Sequence, residues 1–127
     1  MGRRLKIVVA DDERDTREYL QEYLTHLGHD VMAAEDGRRL VEICRALLPD
    51  LLVTDFAMPG MDGLTAAAKI NREWPVPVIL MTGRHDAEQA ALTAAHVVRL
   101  LAKPVKDADL RAAVEAAGAQ AAVRGAC

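Results

Sequence analysis

Short apolar runs alternate with stretches of helical periodicity along the whole chain of 127 residues, and this alternation constrains the fold more than any other feature. The apolar runs are too short for helices and are typical of buried strands. They span residues 5–10, 30–34, 51–56, 78–82 and 97–102. A stretch with helical spacing follows each strand, and because strand-helix-strand crossovers are right-handed, the pattern predicts an α/β fold. We expect a doubly wound, five-stranded parallel sheet with helices on both faces.

The five predicted helices differ in how much apolar surface they offer to the sheet. The first covers residues 14–27, and Asp36, Asp62 and Asp107 are predicted to cap the second, third and last. The residues predicted to face inward from these four helices are Tyr19, Leu20, Tyr23, Leu24, Leu27, Leu40, Val41, Cys44, Leu47, Leu48, Leu64, Ala67, Ala68, Ile70, Leu110, Ala113, Val114 and Ala117. The fourth helix, at 86–95, is rich in alanine and has a single bulky apolar residue, so we expect it to be the most loosely held.

Composition and charge restrict the class of protein. A formal net charge of -3 gives no broad positive field, and aromatic residues make up only 3% of the chain, too few for a ladder of rings that stacks bases. We therefore predict no direct binding of nucleic acid by this domain. No apolar stretch approaches the roughly 20 residues that a membrane helix needs, so we predict a cytoplasmic protein without membrane contact.

The length suits one domain, which we predict to occupy residues 1–127 with a core at about 5–123. Cys44 falls within a helical pattern and Cys127 is the last residue, a poor arrangement for a structural disulfide. The two cysteines also lack the spacing of metal ligands. Reduced thiols are the interpretation we favour.

Polar side chains follow four of the five predicted strands. Asp11 and Asp12 come after the first strand, Asp55 lies near the end of the third, Thr82 ends the fourth, and Lys103 follows the fifth. The carboxyl ends of parallel strands meet at one edge of a sheet, where ligands bind in such folds. We therefore expect three carboxylates, a hydroxyl and an ammonium group to gather there. Clustered carboxylates repel one another, and a hard divalent cation relieves that repulsion most simply.

This ligand set favours Mg²⁺ over Ca²⁺, with Mn²⁺ as a substitute. Mg²⁺ commonly uses one or two carboxylates and takes further oxygens from water and a phosphoryl group. An aspartate can attack phosphorus and form an aspartyl phosphate, while a lysine and a hydroxyl stabilise the charge on the equatorial oxygens. The residue types at this edge thus indicate phosphoryl transfer.

The motifs in chain order resemble those of response regulator receiver domains, the CheY-like family of two-component signalling. The resemblance covers nearly the whole chain and rests on Asp11-Asp12, Asp55, the stretch 58–63, Thr82-Gly83 and Lys103-Pro104. Each motif alone is weak, but five of them in order on the predicted strands are specific. Such domains have the flavodoxin-like strand order 2-1-3-4-5, which we therefore expect here.

The resemblance implies roles for individual residues. Asp55 would be the phosphoacceptor and one metal ligand, Asp12 a direct metal ligand, Asp11 a ligand through water, and Ala57 a ligand through its backbone carbonyl. Thr82 and Lys103 would bind the phosphoryl oxygens. A cis peptide bond before Pro104 is also expected, because the family usually has one there.

The same resemblance implies partners and a switching surface. A sensor histidine kinase or a histidine phosphotransfer protein would supply the phosphoryl group, and an unidentified effector protein would respond. Phosphorylation would alter the surface made by the fourth helix, the fifth strand and the last helix. We expect a monomer or weak dimer that takes part in its own phosphorylation and is not an enzyme acting on a separate substrate.

Several positions depart from the family pattern. Leu100 stands where the family usually has an aromatic residue, so a switch in which a ring swings inward cannot apply unaltered. His96-Val97 replaces the usual Gly-Ala pair before the fifth strand. Ala57 and Arg84 lie two residues past Asp55 and Thr82, and we predict that together they set the lifetime of the aspartyl phosphate.

Two other functions were weighed against the signalling switch. A Mg²⁺-dependent phosphohydrolase would also form an aspartyl phosphate, but such enzymes carry a second aspartate two residues past the nucleophile, where Ala57 stands here. A pseudo-receiver would fold without being phosphorylated and serve for docking. The complete set of carboxylates and Lys103 argue against that alternative.

Overall fold

The computed structural model describes residues 4–83 and 96–125, with side chains up to residue 119. Its five strands are β1 (Lys6–Ala10), β2 (Asp30–Ala34), β3 (Leu51–Asp55), β4 (Val78–Thr82) and β5 (Val97–Ala102). They form one parallel sheet in the order β2-β1-β3-β4-β5. Both the doubly wound fold class and the expected strand order are confirmed.

Four helices lie in the described part of the chain. They are α1 (Arg14–His26), α2 (Gly37–Leu47), α3 (Gly63–Glu73) and the C-terminal helix (Asp107–Gly125). The predicted helix at 86–95, with its expected looseness, falls outside the described residues, as does Arg84. None of the described helices is long and apolar enough to cross a bilayer.

Helices pack on both faces of the sheet because alternate strand residues point to opposite sides. On one face, Val9 and Val53 pack in a buried cluster with residues of α1 and the C-terminal helix. On the other, Val8 and Leu52 pack with residues of α2 and α3. The inner strands β1, β3 and β4 are therefore buried on both sides, which holds their carboxyl ends rigidly in place.

Two of the three predicted helix caps are confirmed. The side chain of Asp36 accepts a hydrogen bond from the Arg39 amide at 2.8 Å, and Asp62 accepts one from the Thr65 amide at 2.7 Å. The prediction for Asp107 was wrong, because this residue is already helical. The Leu110 amide donates to the Lys106 carbonyl at 3.0 Å, so the helix starts one residue earlier than the acid suggested.

Some predicted inward positions are also corrected. Tyr19 and Leu48 are each 46% exposed, because Tyr19 lies beside an open groove next to Asp107 and Leu48 follows α2 in a left-handed conformation with φ of 50°. In α3 the buried positions are Gly63, Ala66, Ala67 and Ile70. This spacing of three and four residues leaves Leu64 and Ala68 on the flank, only partly buried.

Candidate functional site

The carboxyl ends of four strands bring the predicted site residues to one edge of the sheet. Asp11 follows β1, Asp55 is the last residue of β3, and Thr82 is the last of β4. Lys103 follows β5, and its amide donates to the Thr82 carbonyl at 2.9 Å. The convergence expected from the sequence is therefore present, because β1, β3, β4 and β5 are consecutive neighbours in the sheet.

Three carboxylates form the acidic part of this edge. One oxygen from each of Asp11, Asp12 and Asp55 lies within 4.8 Å of the others. Asp11 is fully buried, Asp55 is 6% exposed, and Asp12 faces solvent. Three oxygen donors at this separation, with an open side at Asp12, suit a small hard cation that keeps part of its water shell.

The Lys103 ammonium bridges the two buried carboxylates. Its Nζ lies 3.1 Å from Oδ2 of Asp11 and 3.2 Å from Oδ2 of Asp55. Burial by itself lowers the pKa of Lys103, but the Asp11 and Asp55 carboxylates outweigh it and raise that pKa above its ordinary value. Lys103 is therefore positively charged at neutral pH.

Asp55 stays in an unfavourable environment despite this lysine. Burial raises the pKa of Asp55 above its ordinary value, Lys103 opposes that change, and Asp11 and Asp12 raise the pKa further. The net increase means that the charge on Asp55 lacks compensation. A cation between these carboxylates would supply it.

Asp11 is fixed by contacts that the sequence analysis did not single out. Its Oδ1 accepts a hydrogen bond from the Glu13 amide at 2.9 Å, and its backbone carbonyl accepts one from Nη1 of Arg17 at 2.9 Å. An aspartate side chain that binds the amide two residues ahead is a common turn, so the first contact had a signal in the sequence. These contacts leave Oδ2 of Asp11 for Lys103.

Backbone support for Asp55 comes from Gly63 and Thr54. The Thr54 hydroxyl donates to the Asp55 carbonyl at 3.0 Å, and the Gly63 amide donates to the Phe56 carbonyl at 2.8 Å. A Cβ added at Gly63 would overlap the Asp55 carbonyl oxygen and lie 2.8 Å from Oγ1 of Thr54. α3 can therefore begin this close to β3 only with glycine at position 63, and sequence reasoning did not identify either support.

The remaining predicted site residues lie at the same edge. Thr82 is buried, with 5% exposure, and Ala57 follows Asp55 by two residues with its side chain exposed. The Lys103-Pro104 peptide bond is cis, as the motif led us to expect. The roles of Thr82 and of the Ala57 carbonyl stay predictions.

A family model described as the response regulator receiver domain matches residues 7–115. The chain belongs to this family. The match covers all five strands except Lys6, the first residue of β1, so the fold is that of a receiver domain of two-component signalling.

Solved receiver domains have closely similar structures. The signal receiver domain of an HD domain-containing protein from Pseudomonas fluorescens Pf-5 is 27% identical, with a TM-score of 0.88 over 98% of this chain and 93% of that one. A response regulator receiver domain protein from Clostridium thermocellum is 28% identical, with a TM-score of 0.80 over 94% of this chain and 95% of that one. Both cover the sheet and its site edge.

Curated relatives are longer proteins. The probable transcriptional regulator ycf27 of Porphyridium aerugineum is 37% identical over 64% of this chain and 34% of its own length. The uncharacterized transcriptional regulatory protein YrkP of Bacillus subtilis (strain 168) is 34% identical over 62% of this chain and 34% of its own length. The receiver domain thus spans about a third of the curated relatives that it matches.

Leu100 marks where this receiver domain departs from its family. It lies in β5, directly opposite Leu80 of β4, and its side chain is partly buried. An aliphatic side chain has no flat ring to rotate between an inward and an outward position.

Proposed function

We propose that this receiver domain is a phosphorylation switch in which Asp55 accepts the phosphoryl group. The observation that carries the proposal is the placement of the Lys103 ammonium 3.2 Å from the Asp55 carboxylate, with Asp11 and Asp12 beside it. In the transfer, an Asp55 carboxylate oxygen bonds to phosphorus as the bond from phosphorus to the histidine nitrogen of the donor breaks. Lys103 and the Thr82 hydroxyl then bind the phosphoryl oxygens.

We infer that a divalent cation, Mg²⁺ or Mn²⁺, is required. Asp12 and Asp55 would hold it directly, Asp11 through water, and Ala57 through its backbone carbonyl. The spacing of the three carboxylates and the raised pKa of Asp55, which burial causes, support a cation at this place. When bound, the cation offsets the negative charge of the carboxylates and of the incoming phosphoryl group.

The partners follow from membership of the family. We propose a sensor histidine kinase or a histidine phosphotransfer protein as the donor, an unidentified effector protein as the target, and the cytoplasm as the location. Residues 1–127 would form a single receiver domain, monomeric or weakly dimeric, which does not contact DNA or membranes itself. Regulation of transcription, as in the relatives named above, would need a further domain or a partner.

We also propose how the phosphoryl group is retained. Ala57 carries no carboxylate that could act as a general acid, which argues against rapid turnover on small substrates. Ala57, whose side chain is exposed, and Arg84 are proposed to set the lifetime of the aspartyl phosphate together. If replacing both leaves the dephosphorylation rate unchanged, this part of the proposal is wrong.

Mass spectrometry after incubation with acetyl phosphate tests the proposed function. With Mg²⁺ the protein should gain one phosphoryl group, and without Mg²⁺ or in Asp55→Asn it should gain none. Asp36→Asn is a matched control, because asparagine still caps α2 and the substitution lies outside the site. A gain that persists in Asp55→Asn, or no gain in the wild-type protein with Mg²⁺, would overturn the assignment.

A further inference from the structure

A groove of about 570 Å³ separates α1 from the segment that carries Lys103. Its floor is apolar and includes Leu20, Met81 and Leu110, while Lys103 and Asp107 lie at its rim. Between these two residues the chain is exposed or only partly buried. Val105 packs against the buried cluster on this face of the sheet, whereas Pro104 and Lys106 are exposed, so packing fixes only the middle of residues 103–107.

Polar contacts hold the two ends of this segment, and one of them is the hydrogen bond from the Tyr23 hydroxyl to the Asp107 backbone carbonyl at 3.3 Å. At one end, the Lys103 ammonium lies 3.1 Å from Oδ2 of Asp11, the residue that leads into α1. At the other end, the Tyr19 hydroxyl donates a hydrogen bond to Oδ1 of Asp107. The segment is thus tied at one end to Asp11, between β1 and α1, and at the other end to Tyr19 of α1.

The contact from Tyr19 is well placed to hold the Asp107 end of residues 103–107. The Tyr19 ring stacks on Tyr23, with 6.0 Å between ring centroids and 4° between ring planes. α1 is anchored by the buried Leu20 and Leu24, so the helix provides a fixed support. The Tyr19 hydroxyl is protonated and able to donate at neutral pH, because the ordinary pKa of a tyrosine is about 10 and the hydrogen bond to Asp107 raises it to about 12.

We propose that Tyr19 is a positioning residue for Lys103. By holding Asp107, it keeps residues 103–107 against α1 and so keeps the ammonium group over the Asp11 and Asp55 carboxylates. The inference rests on the proposed function of this site, and it assigns a role to a residue that contacts none of the reacting atoms.

Loss of the Tyr19 contact should change the Mg²⁺ affinity and the phosphorylation rate in opposite directions. The ammonium lies on the same carboxylates that would bind the cation, so it competes with Mg²⁺. Releasing it should tighten Mg²⁺ binding. The phosphorylation rate should fall at the same time, because Lys103 is less often in place to bind the phosphoryl oxygens. A substitution that only destabilised the fold would not tighten Mg²⁺ binding.

The test compares Tyr19→Phe with the wild-type protein by calorimetric titration with MgCl₂ and by the phosphorylation rate with acetyl phosphate at saturating Mg²⁺. Loss of one hydrogen bond should tighten Mg²⁺ binding by about two- to fivefold and slow phosphorylation by a similar factor. Asp107→Ala should reproduce both changes. Asp107→Asn keeps an acceptor oxygen for the Tyr19 hydroxyl and should restore wild-type behaviour.

Tyr23→Phe is the matched control. It removes a hydroxyl from the same face of α1, but that hydroxyl donates at 3.3 Å to the backbone carbonyl of Asp107 and leaves the carboxylate contact intact. We expect Mg²⁺ affinity and phosphorylation rate to change less than in Tyr19→Phe, because the bond to the Asp107 carboxylate is charge-assisted and holds this residue more strongly than the longer bond to its neutral carbonyl. Equal changes in Tyr23→Phe and Tyr19→Phe would overturn the proposal.

A double substitution connects the effect to Lys103 itself. In the background Lys103→Met, adding Tyr19→Phe should leave Mg²⁺ affinity unchanged, because no ammonium remains to be positioned. Unchanged Mg²⁺ affinity in Tyr19→Phe alone, or the same tightening in both backgrounds, would overturn the proposal. These titrations need no phosphoryl transfer, so failure of the proposed function would show separately, as a wild-type protein that is not phosphorylated.

Discussion

At the scale of single residues, the buried carboxylates of the site lower the stability of the folded protein as long as no cation is bound. Asp55 is almost fully buried beside Asp11, and the Lys103 ammonium compensates the two carboxylates only in part. A buried charge without full compensation costs stability, whereas its removal costs little where packing is kept. Function and stability should therefore have opposite requirements at position 55.

Asp55→Asn is predicted to raise the free energy of unfolding at neutral pH in EDTA. Burial raises the pKa of Asp55 in the folded state above its ordinary value of 3.8, so the stability contributed by its protonated form is lost as pH rises through that raised pKa. The gain from the substitution should shrink as pH is lowered towards 3.8. Urea unfolding at several pH values measures this difference.

Saturating Mg²⁺ provides the control for this prediction. It should stabilise the wild-type protein and have little effect on Asp55→Asn, since one of the carboxylates is gone. A wild-type protein that is more stable than the variant in EDTA at neutral pH would contradict the account.

A second residue-scale prediction concerns His29. Its Nδ1 accepts a hydrogen bond from the Leu5 amide at 3.1 Å, and burial lowers its pKa below the ordinary value of 6.5. The folded state thus binds this proton more weakly than the unfolded chain does. The stability contributed by His29 should be complete above pH 6.5, the ordinary pKa of histidine. It should be lost as the pH falls from there through the lowered pKa of His29 in the folded state.

His29→Asn tests this prediction, because asparagine keeps an acceptor oxygen but does not titrate. Between neutral pH and pH 5, its free energy of unfolding should fall less steeply than that of the wild-type protein. Parallel curves for the two proteins would show that His29 does not contribute to the pH dependence.

At the scale of elements, the sequence predicts strand bounds and helix caps correctly where they depend on contacts between residues that are close in the chain. Every predicted strand lies within one residue of its observed bounds. The inner strands β1, β3 and β4 are short, continuous apolar runs because they are buried on both faces of the sheet. Asp36 and Asp62 could be predicted as caps because each directly precedes a helical pattern, and each binds the amide three residues ahead. Asp107 was predicted wrongly because the helix begins one residue before it, and its carboxylate is bound instead by Tyr19, which is far away in the sequence.

The contact between α3 and β3 gives a prediction at this scale. Gly63→Ala should lower the free energy of unfolding by about 1–3 kcal/mol, because a Cβ there overlaps the Asp55 carbonyl and forces α3 away from the strand. The displacement should also slow phosphorylation of Asp55. Urea unfolding and phosphorylation by acetyl phosphate measure the two effects.

Gly118→Ala is the control for Gly63→Ala. A Cβ at position 118 would meet Cδ1 of Leu5 at 3.5 Å, an ordinary contact, within the C-terminal helix. We expect a gain of about 0.5–1 kcal/mol from the lower backbone entropy of the unfolded chain. If both substitutions change stability equally, the close approach at Gly63 has no special importance.

At the scale of the whole molecule, strand order turns residues that are distant in sequence into one site. Asp11, Asp55 and Lys103 could be predicted to meet because parallel strands present their carboxyl ends at one edge. The sequence could not predict that Lys103 would bridge both buried carboxylates, nor that an open groove would lie behind it. Those features depend on the path of the chain after β5, which no local pattern determines.

The central claim is that a cation and Lys103 surround Asp55 when it carries a phosphoryl group. The most direct test is a crystal structure of the protein with Mg²⁺ and beryllofluoride, which mimics that group. The account predicts beryllofluoride on the Asp55 carboxylate, Mg²⁺ between it and Asp12, and the Lys103 ammonium in contact with a fluoride. Beryllofluoride on another side chain, or bound to Asp55 with Mg²⁺ and Lys103 remote from it, would contradict the account.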